Sequence, residues 1–286
     1  MPLIDATFLY AAVQLRPVFY SKASGHLVSS ENRASGFIVS AWGTDEAETW
    51  GRKSETGQDR YLVTNRHVLD PNFRQPRGWA LGGLTIRGHH QPTDPEQLPT
   101  PQEVTLKQPD VMFPSGPVDL AFVRLDSTRE AASAKFNALE PSALAGKEHF
   151  ESGRITVGTP VLASGYPGIG GVSADRPILV GGVVASDPRY PAAIGELCKP
   201  GEVLCHSFSW SGMSGAPVLC RIPHPTVDWE SLETNSFDQA FLAGVNVGHV
   251  DINGDTTAAG TLTRFIRSDI VVDLLRGAGA KGVWRT

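Results

Sequence analysis

Short apolar runs, each bounded by Gly, Pro, Asp or Ser, recur along most of the chain. Runs of about four to eight apolar residues between turn formers are typical of the strands of a barrel or sandwich. Helical periodicity is scarce before the C-terminal end, so we predict an all-β fold. The clearest predicted strands are 36–40, 61–64, 81–86, 120–125, 160–164, 178–186, 216–220 and 241–247.

One terminal helix is predicted over 268–276. Ser268 and Asp269 can cap it, and Gly277 can end it. Polar segments rich in Gly and Pro separate the strands at 42–60, 70–78, 89–102, 187–201 and 221–239, and we interpret them as long loops. Segment 126–153 is the best candidate for a connection, which gives two predicted domains, 1–140 and 141–286.

Composition and charge narrow the possible functions. Apolar residues make up 41% of the chain and charged residues 19%, which is typical of a globular protein. The net charge of -5 leaves no basic face for a phosphate backbone, so we expect no nucleic-acid partner. No apolar run reaches the length of a membrane span, and the first residues make a poor signal peptide. We expect a protein of the cytoplasm that binds no membrane.

The three cysteines, Cys198, Cys205 and Cys220, are too few for a disulfide framework. Cys198 and Cys205 are close enough in sequence to close a small loop, and that pairing stays open. Together with His206 the thiols carry donor types that zinc binds. Their spacing matches no CxxC pair, so we favour buried or free thiols and predict no metal site.

Ser214 has the surroundings of a nucleophile. It lies in the string GMSGAPVL, where small neighbours leave room for a substrate carbonyl. A serine hydroxyl needs a base to take its proton and donors to stabilise the oxyanion. The backbone N–H groups of Gly212 and Ser214 are the candidate donors, but a serine in such a turn is by itself weak support for catalysis.

His67 and Asp119 are the candidate base and orienting acid. His67 ends an apolar strand in the string VTNRHV, and Asp119 begins another in VDLAFVRL. A buried carboxylate needs hydrogen-bond partners, and a histidine can be one while the carboxylate fixes its tautomer. Taken singly, each residue is as well explained by a structural role.

Together, the three strings resemble the His, Asp and Ser motifs of trypsin-like serine peptidases, most of all the bacterial Deg/HtrA type. Their order and their separations of 52 and 95 residues also fit. SGFIV at 35–39, ASGYPG at 163–168 and GGVVAS at 181–186 extend the resemblance over about residues 35–249. It implies two six-stranded antiparallel Greek-key barrels of the chymotrypsin type, with His67 and Asp119 in the first and Ser214 in the second, and needs no cofactor.

The chain departs from the family pattern at two positions. Met213 and Ala216 stand where Asp or Asn and a second Gly are usual. Met213 cannot form the ion pair that activates digestive zymogens, so activation by N-terminal cleavage is not expected. Only 37 residues follow His249, and we expect no PDZ domain after the peptidase unit.

The resemblance also implies a substrate-binding region. Phe208, six residues before Ser214, corresponds to the base of the S1 pocket and favours small or medium apolar P1 residues. The strand carrying Asn246, Gly248 and His249 corresponds to the pocket wall, which pairs with the polypeptide substrate. His249 is a candidate reader of acidic side chains, although an exposed loop histidine is the simpler interpretation.

Three functions are open to such a chain. The first is a serine endopeptidase acting on polypeptides, with control by a regulatory protein partner or by the loop at 187–201. The second keeps the fold as a peptide-binding pseudoprotease, with the oxyanion turn distorted by Met213. The third, an α/β-hydrolase, is disfavoured because its acid and histidine follow the serine, and only 72 residues follow Ser214.

Overall fold

The computed structural model describes residues 6–29, 33–42, 58–90, 97, 99–125, 129–169, 172–173, 175–191, 201–227, 234–249 and 262–277. Two antiparallel sheets make up most of this part of the chain, and five helices of ten residues or fewer accompany them. The helices are α1 Ala6–Tyr10, α2 Arg66–Leu69, α3 Arg129–Ser133, α4 Lys147–Glu151 and α5 Ser268–Gly277, with a 3₁₀ turn at Pro141–Ala143.

The first sheet has eight strands and forms a half-barrel. Its order is β6-β5-β1-β3-β4-β8-β7, with β2 paired to β1. The path does not close within the described residues. Its strands are β1 Ala12–Ser21, β2 Leu27–Ser29, β3 Ala34–Trp42, β4 Gln58–Thr64, β5 Trp79–His90, β6 Thr100–Leu106, β7 Val111–Met112 and β8 Ala121–Arg124.

The second sheet is a closed six-stranded barrel in the order β12-β13-β16-β15-β14-β9. A short hairpin, β10 Gly168–Ile169 with β11 Val172–Ser173, follows its first strand. The barrel strands are β9 Pro160–Gly165, β12 Ile178–Val184, β13 Glu202–Ser207, β14 Pro217–Val227, β15 Thr234–His249 and β16 Leu262–Arg267.

These sheets confirm the predicted all-β, two-barrel fold with a C-terminal helix. The second barrel has the six strands expected, whereas the first unit is a half-barrel of eight strands. Helix α5 begins at the predicted Ser268 and includes Gly277 as its last residue. The domain boundary at residue 140 stays a prediction. None of the helices in the described ranges is long and apolar enough to cross a bilayer.

The prediction of a loop at 221–239 was wrong over much of that range. Strands β14 and β15 continue through it as a hairpin, paired as far as Val227 with Thr234. Strand β14 contains two prolines, Pro223 and Pro225, a residue type that is rare inside strands. Since N–H groups alternate between the two edges of a strand, prolines two residues apart leave a donor missing on the same edge only.

Strands β1 and β16 were not predicted, because charged residues interrupt their apolar runs. Arg16 of β1 forms an ion pair with Glu103 on β6. Arg264 of β16 forms one with Glu202 at 2.9 Å. Each charge is compensated by a residue that sequence spacing alone does not connect with it.

A continuous hydrophobic core joins the two sheets. Phe37, Val63 and Phe122 of the first sheet belong to the same buried cluster as Leu242 and Val245 of the second. Helix α5 adds Val271, Val272 and Leu275 to this cluster. The two sheets are therefore joined by close packing, which limits their movement relative to one another.

Leu62→Ala tests the contribution of the first sheet's own core, in which Leu62 is fully buried. We expect the free energy of unfolding to fall by about 2–5 kcal/mol, because the substitution leaves a cavity. Urea denaturation measures it. The matched control is Leu27→Ala at a position 56% exposed, where the change should be within about 0.5 kcal/mol. Equal losses in the two variants would contradict this account of the core.

Candidate active site

His67 lies three residues after the end of β4. Asn65 turns the chain after Thr64, and its side-chain amide donates to the backbone oxygen of Asp119 at 3.0 Å. Helix α2 begins at Arg66, so His67 lies in its first turn. The buried Asn65 thus ties the start of the helix that carries the histidine to the segment that carries the aspartate.

Asp119 and His67 are joined by two hydrogen bonds. The ring Nδ1 of His67 lies 2.8 Å from Oδ2 of Asp119, and the backbone N–H of His67 donates to Oδ1 at 2.9 Å. The aspartate side chain is 2% exposed and the histidine side chain 17%. In the neutral tautomer in which Nδ1–H donates to the carboxylate, the other ring nitrogen, Nε2, carries no proton.

Arg74 is a third member of this group that the sequence did not indicate. Its Nη2 lies 3.2 Å from Asp119 Oδ2 and 3.0 Å from His67 Nδ1. Burial by itself raises the pKa of Asp119. The hydrogen bonds from His67, its charge and the charge of Arg74 outweigh burial and hold that pKa well below its usual range.

Ser214 follows β13 on a tight loop and is half-buried. Two glycines make the loop possible: Gly212 and Gly215 have φ of +93° and +84°, a region that residues with a Cβ avoid. A Cβ on Gly212 would approach the Tyr166 oxygen to 2.4 Å. No hydrogen bond joins the Ser214 hydroxyl to His67 among the described residues.

Ser35 fastens this loop to the first sheet. Its backbone N–H donates to the Ser214 oxygen at 2.8 Å, and its hydroxyl donates to the Gly212 oxygen at 2.7 Å. The same hydroxyl accepts the Tyr166 N–H at 2.9 Å. The hydroxyl of Thr64 donates to the Ser35 oxygen at 2.8 Å. Ser35 thereby connects the Ser214 loop with the strand that ends near His67.

The backbone donors of the Ser214 loop divide into two groups. The N–H groups of Met213, Gly215 and Ala216 donate to Trp210, Asn246 and Met213 respectively. Across the part of the chain that the structure describes, the N–H groups of Gly212 and Ser214 have no acceptor. These two are the donors that the sequence predicted for an oxyanion.

The predicted substrate-binding residues differ in their surroundings. Asn246 is buried, and its side-chain amide donates to the Met213 oxygen at 2.8 Å. Gly248 lies at the cleft, where a Cβ would be 4.0 Å from the Ser214 hydroxyl oxygen. His249 is half-buried on the same strand, β15.

Phe208 is half-exposed and stacks against Trp210, with ring centroids 5.9 Å apart. With Met213 and Asn246 it borders a cavity of about 10 Å³, roughly the space of one water molecule.

Cys205 and Cys220 are free buried thiols, and burial raises the pKa of each to about 12. At neutral pH they stay protonated, and the thiolate is the form that binds metals. Cys198, the third thiol of the zinc hypothesis, lies outside the described residues. Within those residues no group of three His, Cys, Asp or Glu side chains is arranged around a metal position.

A His–Asp pair on the first sheet, with a serine on a glycine-rich loop of a second antiparallel barrel, is the arrangement of chymotrypsin-fold peptidases. A family model for the trypsin-like peptidase domain matches residues 34–221, well over half of the chain. The chain therefore belongs to the trypsin-like peptidase family. The match includes His67, Asp119 and Ser214.

Among solved structures, the HtrA-type protease AlgW with a decapeptide is similar, with a TM-score of 0.52 and 15% sequence identity. The match covers 95% of this chain and 65% of that one, so this chain spans less than two thirds of the length of that structure. At this identity the likeness concerns the fold. No curated protein matches the sequence.

Gly215→Ala tests the contact between the loop and the first sheet, since a Cβ there would lie 2.2 Å from the Ser35 oxygen. We expect a loss of about 3 kcal/mol or more in unfolding free energy from the clash and the left-handed backbone together. Gly153→Ala is the control, with φ of +76° but nothing within 4 Å, and should cost about 1 kcal/mol. Similar losses of unfolding free energy in both variants would show that the contact between the loop and the first sheet does not contribute to stability.

Acid titration of stability tests the Asp119 pair. Because the folded-state pKa of Asp119 lies below its ordinary 3.8, the carboxylate stabilises the fold above that pH and ceases to do so as the pH falls further. The wild type should therefore exceed Asp119→Asn in unfolding free energy at about pH 6, with the difference shrinking below about pH 4. Urea denaturation across this range measures it. If the difference in unfolding free energy between the two proteins stayed constant with pH, the lowered pKa of Asp119 would be refuted.

Proposed function

We propose that the protein is a serine endopeptidase that cleaves polypeptides through an acyl-enzyme intermediate. The single observation that carries the proposal is the paired contact of Asp119 with the ring and the backbone N–H of His67, at 2.8 and 2.9 Å. It holds the imidazole with Nε2 free to act as a base. The family membership supports the peptidase class, and a peptide accompanies the similar HtrA-type structure.

In the proposed reaction, Nε2 of His67 takes the Ser214 hydroxyl proton as the oxygen attacks the scissile carbonyl. The protonated imidazole then gives this proton to the leaving amine, and a water molecule releases the acyl group by the same steps in reverse. Asp119 keeps the imidazole in the required tautomer and stabilises its positive charge. The missing bond between Ser214 and His67 is compatible with this role, because catalytic hydrogen bonds often tighten only with substrate bound.

The oxyanion is proposed to bind the N–H groups of Gly212 and Ser214. Support comes from the hydrogen-bond pattern of their loop, in which these two donors have no acceptor among the described residues while their neighbours are engaged. Asn246 supports the loop through the Met213 oxygen. Donors fixed in this way need no reorganisation when charge develops.

The acyl half of the substrate is proposed to pair with β15 at Gly248. A P1 side chain would then lie near Phe208, whose ring shortens the pocket and offers no charge, which favours small or medium apolar residues over Lys or Arg. His249 is the proposed contact for an acidic side chain of the substrate. Control by a partner protein or by the segment 187–201 remains part of the proposal.

A peptide-binding pseudoprotease is the second candidate. It is favoured by the lack of a hydrogen bond between Ser214 and His67 in the described residues, and by the buried Met213 beside the nucleophile. A fluorophosphonate probe separates the two functions. Covalent labelling of Ser214 supports the peptidase, whereas peptide binding without labelling supports the binding module.

Ser214→Ala should lower kcat for casein or a cleaved peptide by about a million-fold, and Asp119→Asn by about ten-thousand-fold. The first loses the nucleophile and the second loses control of the imidazole tautomer. Ser211→Ala, an exposed serine on the same loop, is the matched control and should leave kcat within about twofold. Wild-type rates in purified Ser214→Ala would end the proposal.

A further inference from the structure

A cavity of about 310 Å³ adjoins His67 on the first sheet. Aromatic and proline side chains form much of its wall, and two arginines from the loop after α2 contribute positive charge. The principal lining residues are Phe19, Pro71, Trp79, Arg74 and Arg77, with His67 at one edge.

The charge of this cavity is positive. Asp70, an acidic residue at its wall, is already paired with Arg66 at 3.1 Å. The exposed guanidinium of Arg77 stacks over the Trp79 ring at 5.1 Å and has no carboxylate partner in the described part of the chain. Arg74 is engaged with Asp119 at 3.2 Å, but its side chain is half-exposed. A guanidinium without an anion beside an apolar wall suits a carboxylate ligand.

The position of the cavity indicates which half of a substrate reaches it. All its lining residues belong to the first sheet or its loops, whereas Ser214 and Gly248 belong to the second barrel. The acyl half is proposed to lie along β15 of that barrel. The half that leaves with the amine, which His67 protonates, is then directed past His67 towards the first sheet.

We propose that this cavity binds a carboxylate of the leaving half of the substrate, one or two residues after the scissile bond, with Arg77 as the principal contact. The inference rests on the proposed peptidase function and extends it to a specificity. The carboxylate can belong to an Asp or Glu side chain or to the C-terminus of a short substrate. The two sources share the same chemistry and are separated below.

The test uses a library of peptides to find cleaved sequences, followed by matched pairs with Asp or Asn at the second position after the cut. We expect kcat/KM to be about fivefold higher for Asp, as for an exposed charge pair. Arg77→Gln should remove this preference and leave the Asn peptide unchanged, while Arg77→Lys should retain part of it. Arg154→Gln, an exposed arginine outside the cavity, is the control and should change neither.

Amidated and free-acid versions of the Asn peptide, ending at the second position, separate the sources. A preference for the free acid that Arg77→Gln abolishes identifies a terminal carboxylate. A preference for Asp within amidated peptides identifies a side chain. Both results support the proposal. The absence of either preference, or a preference that survives Arg77→Gln, overturns it.

Product peptides distinguish failure of this inference from failure of the peptidase proposal. Ala-Asp-amide should bind Ser214→Ala about fivefold more tightly than Ala-Asn-amide, and the added Arg77→Gln change should equalise them. This measurement needs no hydrolysis. An inactive wild type with this binding difference would refute the peptidase and keep the carboxylate site. An active wild type that shows no difference in binding between the two product peptides would support the peptidase and refute the carboxylate site.

Discussion

The contact of Ser35 with the Ser214 loop is the constraint on which the arrangement of the site depends. One residue of the first sheet binds the backbone oxygens of Ser214 and Gly212 in the second barrel. Because its own oxygen is held by Thr64, the strand leading to His67 is part of the same set of bonds. Ser214 and His67 lie on different sheets, and the fully buried Ser35 connects the loop of the first residue with the strand that leads to the second.

His67 and Arg74 both form hydrogen bonds with one carboxylate of the site, that of Asp119. Asp119 is removed from water, which disfavours its charge, and it regains stability from two donors of His67 and one of Arg74. Arg74 is the more exposed of the two donors, with 51% of its side chain accessible against 17% for His67, and both line the cavity beside the first sheet. The same guanidinium therefore adjoins both Asp119 and the cavity proposed for the leaving half of a substrate.

The packing of the molecule explains why the site tolerates unusual residues. Met213 and Ala216 are both fully buried and form a small apolar cluster with Val180. They fill space beneath the loop, while the loop's course is fixed by glycines and by backbone bonds to Trp210 and Asn246. The departures from the family pattern are thus accommodated by apolar contacts, without an ion pair at these two positions.

The sequence by itself determined the all-β class, most of the apolar strands and helix α5. Its short strings also singled out His67 and Asp119, which the structure brings into contact, whereas Ser214 as their catalytic partner stays a prediction. Such features are encoded locally, in apolar runs, caps and short strings. Only the tertiary structure decided that Ser35 fastens the loop, that Arg74 joins Asp119, and that β14 continues through two prolines. Each depends on a partner distant in sequence, and a pattern of neighbouring residues carries no information about which distant group will compensate a charge or accept a hydrogen bond.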